Sequence, residues 1–112
     1  MCKIADFGLS TFLAPKAKNY QKCGTPCYVA PEILNDLGYD SKCDIFSMGS
    51  LFYNLITGKF LFKAENKFKL LHANKVCDIS NVMDEFKTSF SPQCLNLIMW
   101  MLSPNPLHRP TA

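Results

Sequence analysis

The sequence predicts a mainly α fold, and three observations carry that prediction. Residues 45–57 are apolar on nearly every side of a helix and carry helix signals at both ends. Residues 91–102 place Cys94, Leu95, Ile98, Met101 and Leu102 on one helical face. A weaker helical pattern spans residues 65–74, with Phe68 and Leu71 on one face.

In chain order, residues 2–5 are apolar enough for a short strand running into Asp6-Phe7-Gly8. Residues 9–30 hold Pro15, Gly24 and Pro26 without a clear period and read as a long loop. Loops of that length inside a compact domain are usually functional. Pro31 opens a short helix, because its fixed φ suits the first helical position, and Gly38 is its expected stop. Ser41 to Asp44 has the spacing of a capping box, with Asp in place of Glu. Beyond it come Ile45, Phe46, Met48, Leu51, Phe52, Leu55 and Ile56, with Gly58 and Lys59 as the stop. A helix that is apolar on every side calls for burial on every side, so this one is expected to be the central post. Ser91 and Pro92 are an N-cap and a first helical residue. Pro104, Pro106 and Pro110 then forbid that helix to continue.

The 112 residues fit one domain or a piece of one, and 48% hydrophobic against 19% charged residues is a globular composition. The net charge of +3 is mild and scattered, which argues against nucleic acid as a partner. The most basic stretch, residues 16–22, is interrupted by uncharged residues and reads as a solvated loop. No apolar run reaches the roughly 18 residues of a membrane span. Six cysteines at irregular spacing, without a signal peptide, point to free thiols in the cytoplasm or nucleus. Cys23, Cys27, His72 and His108 lack the spacing of a zinc site.

Four short motifs stand in order along the chain. They are Asp6-Phe7-Gly8, the run Gly24-Thr25-Pro26-Cys27-Tyr28-Val29-Ala30-Pro31-Glu32, the run Asp44-Ile45-Phe46-Ser47-Met48-Gly49, and His108-Arg109-Pro110-Thr111. Asp-Phe-Gly alone is a weak three-residue match; with an Ala-Pro-Glu downstream and a loop between, it is specific. The chain here resembles the eukaryotic protein kinase family, of the serine/threonine type, over essentially its whole length. The resemblance implies a partial kinase large (C-terminal) lobe over residues 1–112, including its activation-segment loop.

The resemblance also implies ATP and Mg²⁺ as cofactors and a protein with a Ser or Thr acceptor as substrate. Asp6 is then the magnesium ligand, Phe7 packs inward to orient it, and Gly8 lets the backbone turn. Thr25 positions the acceptor, while Pro26 and Val29 border the pocket for the residue after it. Glu32 and Arg109 are the family's ion pair, a carboxylate met by arginine's planar fork. Asp44 would accept backbone hydrogen bonds from a catalytic loop or, taken locally, cap its own helix. Phe46 stands where the family most often has Trp. Gln21 stands three residues before Gly24, at the usual loop phosphorylation position, and has no hydroxyl.

The 112 residues contain no glycine-rich phosphate loop, no Val-Ala-Ile-Lys strand and no His-Arg-Asp loop. A serine/threonine kinase by family, the isolated chain is therefore expected to be inactive and to leave its long apolar helix short of neighbours. A non-catalytic interaction module derived from a kinase is the alternative.

Overall fold

The computed structural model describes residues 1–80, 82 and 84–112. Among them are four α-helices: α1 (Pro31–Leu34), α2 (Lys42–Thr57), α3 (Lys67–Val76) and α4 (Pro92–Met101). Single 3₁₀ turns stand at Phe7–Leu9, Asp84–Phe86 and Pro106–His108. The one β pairing among the described residues is an isolated antiparallel bridge between Asn19 and Tyr39. The strand expected at residues 2–5 does not form, and those residues are exposed.

Pro31 takes the first position of α1, as its ring requires. The helix stops at Asn35 rather than Gly38: Asp36 turns to a left-handed φ of 57, and the Leu37 N–H reaches back to the Glu32 carbonyl at 3.1 Å. Gly38 answers a different need. A Cβ there would lie 2.8 Å from the Tyr20 ring and 2.9 Å from the Lys18 Cβ, so only glycine lets the loop come this close.

Asp40, not Ser41, caps α2. Its Oδ1 accepts the Lys42 N–H at 3.0 Å, whereas Ser41 already has helical dihedrals and makes no side-chain cap. The expected box from Ser41 to Asp44 is thus absent. Asp44 is exposed in the first turn, where its charge suits the positive end of the helix dipole. Gly58 closes α2 at φ 68, and its N–H reaches the Asn54 carbonyl at 2.9 Å.

α2 is also not buried all round. Phe46, Gly49, Ser50 and Tyr53 are buried, but Met48 is 55% and Leu55 71% exposed. α4 packs on the buried face. A Cβ on Gly49 would lie 2.8 Å from the Met101 Cβ, so the missing side chain sets how closely the two helices meet. Ser91 caps α4 by accepting the Cys94 N–H at 3.2 Å, and Ile98 and Leu102 are fully buried.

α3 begins two residues later than its sequence pattern suggests, at an Asn66 cap that accepts the Lys69 N–H at 2.9 Å. Leu70, Ala73 and Asn74 face the core, and Phe68 is 85% exposed, so the expected Phe68 face is the outer one. The core itself gathers Val29, Ala30, Ile33, Phe46, Tyr53, Phe62, Ile98 and Leu102. None of the helices is long and apolar enough to cross a membrane.

Candidate functional site

Arg109 and Glu32, distant in sequence, form a bidentate ion pair. Nη1 meets Oε1 at 2.6 Å and Nη2 meets Oε2 at 2.8 Å. Glu32 is 3% and Arg109 2% exposed. The remaining guanidinium donors reach the carbonyls of Ser103 at 2.8 Å, Lys42 at 2.9 Å and Pro104 at 3.3 Å. All five N–H groups therefore have partners, as a buried charge demands. The guanidinium also lies 5.0 Å from the centre of the Phe46 ring, so the aromatic at this position serves as a cation–π platform. The pair ties α1, the start of α2 and the segment after α4 into one junction.

That junction anchors the run from Gly24 to Glu32. Within it, the Thr25 carbonyl accepts the N–H groups of Tyr28 at 3.0 Å and Val29 at 3.1 Å, closing a tight turn. Gly24 adopts φ 127, and a Cβ there would sit 3.2 Å from Val29 Cγ2. Thr25 is exposed, Pro26 half-buried and Val29 4% exposed. Val29 is thus a core residue beneath the turn, while Pro26 stays half-buried.

Three side chains that sequence reasoning left unassigned hold this turn. Ser50 Oγ donates to the Cys27 carbonyl at 2.8 Å and Ser47 Oγ to the Tyr28 carbonyl at 2.9 Å. Asn74 Nδ2 donates to the Val29 carbonyl at 3.2 Å, and its Oδ1 accepts the Cys27 N–H at 3.3 Å. Ser50 and Asn74 are buried. Every consecutive carbonyl from Cys27 to Val29 is therefore gripped by α2 or α3. The grip holds Cys27 at φ 77, a left-handed conformation that a non-glycine residue keeps only when its surroundings enforce it. Burial pushes the Cys27 thiol above its ordinary pKa. The signal in the sequence was there for the two serines, which stand within the otherwise apolar α2 and need hydrogen-bond partners.

Asp6-Phe7-Gly8 is arranged differently from expectation. Phe7 is 66% exposed and does not pack inward. The positive φ belongs to Asp6, at 62, and Gly8 stays out of the left-handed region. Asp6 is exposed, and no group of three or more potential metal ligands occurs among the described residues. Mg²⁺ commonly takes one or two carboxylates and completes its shell with water and phosphate oxygens. Asp6 fits that chemistry as a single donor; the described residues offer no second protein ligand beside it.

Asp44 neither caps α2 nor accepts a backbone N–H; the Cys43 thiol is its neighbour at 3.8 Å. Burial, and then the Asp44 carboxylate, push the Cys43 thiol up to about 12. Burial likewise raises Cys77 to about 11.

The loop before Gly24 is solvent-exposed at Lys16, Lys18, Tyr20, Gln21 and Lys22, and it is also tied to residues 36–40. Asn19 and Tyr39 exchange backbone hydrogen bonds at 2.8 and 2.9 Å. The Tyr39 hydroxyl donates to the Gln21 carbonyl at 2.6 Å and lies 3.7 Å from Cys23 Sγ. Lys18 pairs with Asp40 and Lys22 with Asp36.

The amino-acid sequence matches one family of known proteins. The profile described as protein kinase domain matches residues 1–112. The chain is 36% identical over 112 residues to serine/threonine-protein kinase ATG1a of Arabidopsis thaliana, across 99% of this chain and 18% of that protein. It is 40% identical over 111 residues to probable serine/threonine-protein kinase 2 of Plasmodium falciparum, across 98% and 21% respectively. Against serine/threonine-protein kinase Nek8 of Danio rerio the identity is 37% over 108 residues, across 96% and 15%. The chain thus spans about a fifth of the length of these curated relatives. A whole-length profile match, these relatives and a helical fold built around the Glu32–Arg109 junction lead to one assignment: the chain belongs to the eukaryotic protein kinase family, of the serine/threonine type, as part of its large lobe.

Proposed function

We propose that the kinase domain containing this chain transfers the terminal phosphoryl group of ATP to serine or threonine hydroxyls of proteins. Residues 1–112 supply its acceptor-positioning loop and one magnesium ligand. The observation that carries this reading is the grip of Ser47, Ser50 and Asn74 on the carbonyls of residues 27–29. Phosphoryl transfer asks little covalent chemistry of a protein; it asks for fixed positions and well-placed charge. A loop whose backbone is pinned at three successive carbonyls can hold an acceptor in one place, with exposed Thr25 at its head. Mg²⁺ with ATP would neutralise phosphate charge, and Asp6 would contribute one oxygen to that ion. The proton acceptor and the phosphate-gripping lysine are not among these residues, so the activity belongs to a longer chain.

The test is phosphate transfer from labelled ATP to serine, threonine and tyrosine peptides, by the 112-residue chain and by a chain extended through the upstream kinase motifs. The extended protein is expected to label serine and threonine peptides, and the short chain nothing above its Asp6→Ala control. Asp6→Ala in the extended protein should lower the rate by at least about 10²–10³-fold. Tyrosine-only labelling, or transfer by the short chain, would sink the assignment of roles.

A second reading rests on a different observation. The apolar face of α2 at Met48, Leu51 and Leu55 is exposed and suits a non-catalytic binding module. An extended protein with every motif intact that transfers no phosphate would favour it.

A further inference from the structure

The contacts between residues 18–22 and 36–40 form a second system that the kinase assignment does not use. They comprise the paired backbone bonds of Asn19 and Tyr39, the Tyr39 hydroxyl on the Gln21 carbonyl, and the two lysine–carboxylate pairs. Gly38 lets the Tyr20 ring and the Lys18 stem lie directly on the second strip. We propose that these two strips are a built-in latch that holds the acceptor-positioning loop in its docked form without covalent modification of the loop.

The linkage runs through named atoms. Asp40 uses both carboxylate oxygens: Oδ2 takes Lys18, and Oδ1 takes the Lys42 N–H that starts α2. α2 in turn carries Ser47 and Ser50, which grip residues 27 and 28. On the loop side, the Tyr39 hydroxyl fixes Gln21 only three residues before Gly24, where the turn begins. Tyr39 is 8% exposed and its hydroxyl contact is part-buried, so this tie is less open to competing water than the ion pairs. The ion pairs are more exposed, with side chains from 31% to 70% accessible, and act as salt-sensitive reinforcement. Gln21 presents its backbone carbonyl to the latch, a contact that needs no hydroxyl or phosphate at that position.

This inference rests on reading residues 24–32 as the acceptor-positioning loop, so its test does not depend on turnover. Amide hydrogen exchange in the full-length protein reports loop docking directly, even where no phosphate is transferred. Tyr39→Phe keeps the ring and removes the hydroxyl. It is expected to speed exchange at the hydrogen-bonded latch amides of Asn19, Gln21 and position 39 by about 2- to 10-fold while leaving residues 45–57 unchanged. Lys18→Met with Lys22→Met keeps both stems and should give a smaller rise. In the wild type, that smaller contribution should fade in high salt. Lys87→Met, at the distant Lys87–Asp84 pair, should leave the loop unaffected. Phosphatase treatment of the wild type before labelling should not loosen residues 18–26. Unchanged loop exchange in Tyr39→Phe, with residues 45–57 still protected, would overturn the latch. So would faster loop exchange after phosphatase treatment.

Discussion

Arg109 uses every donor it has, and that saturation decides what a change there costs. Lysine offers a point charge on a flexible stem and cannot reproduce two parallel bonds to Glu32 together with three to carbonyls. Arg109→Ala or Glu32→Ala is expected to destabilise the domain by about 3–5 kcal/mol, because each leaves a buried charge alone. Replacing both, as Glu32→Leu with Arg109→Met, should recover much of that loss. Urea unfolding of the three variants checks both statements, and a double variant as unstable as the singles would refute the second. Asp40 makes a pH prediction. Its carboxyl is held below the usual range, first by the hydrogen bond from Lys18 and then by the Lys42 N–H, against opposition from burial. A group that titrates lower when folded contributes fully above its unfolded value, about 3.9, and less as pH falls through the depressed folded value. The stability gap between wild type and Asp40→Asn should therefore be constant from pH 7 to 5 and shrink below pH 4. Thermal melts across that range measure it.

Among the elements, caps separate what the sequence shows from what it hides. Ser91→Ala should cost about 1 kcal/mol and Ser41→Ala almost nothing, since only Ser91 accepts a helix N–H. Denaturant midpoints of the two variants distinguish them. Both serines looked equivalent as residue types, and the difference arose because Asp40 lies one residue earlier and reaches Lys42 first. The helices around residues 45–57 and 92–101 were legible because their apolar periods are long. The Glu32–Arg109 pairing was legible only through family resemblance, since nothing local couples residues so far apart. Ser47 and Ser50 were missed because a hydroxyl within an apolar helix names a need for a partner without naming the partner, and Asn74 because it stands in a lysine-rich helix where a polar residue signals nothing. Ser50→Ala leaves the part-buried Cys27 carbonyl without its donor and is expected to cost about 1–2 kcal/mol. In an active domain it should raise KM for the peptide substrate while leaving KM for ATP unchanged, which steady-state kinetics would reveal.

At the scale of the whole molecule, the exposed apolar face of α2 governs behaviour in isolation. Leu55→Lys, at a site 71% exposed, should reduce dye binding and aggregation of the 112-residue chain. In a longer domain that covers this face, the same change should lower the melting temperature instead. Light scattering on one protein and calorimetry on the other separate the two cases. The Glu32–Arg109 junction has a consequence for biosynthesis. The two residues are 77 positions apart, and Arg109 leaves the ribosome long after Glu32. Closing so long a loop carries an entropic penalty before any contact offsets it, and a lone carboxylate resists burial. On the nascent chain, Glu32 must stay in water, and α1 with it, until the final turn emerges. The 24–32 loop is thus expected to be among the last parts of this region to set, and a ribosome stalled before Arg109 should hold it still unclosed.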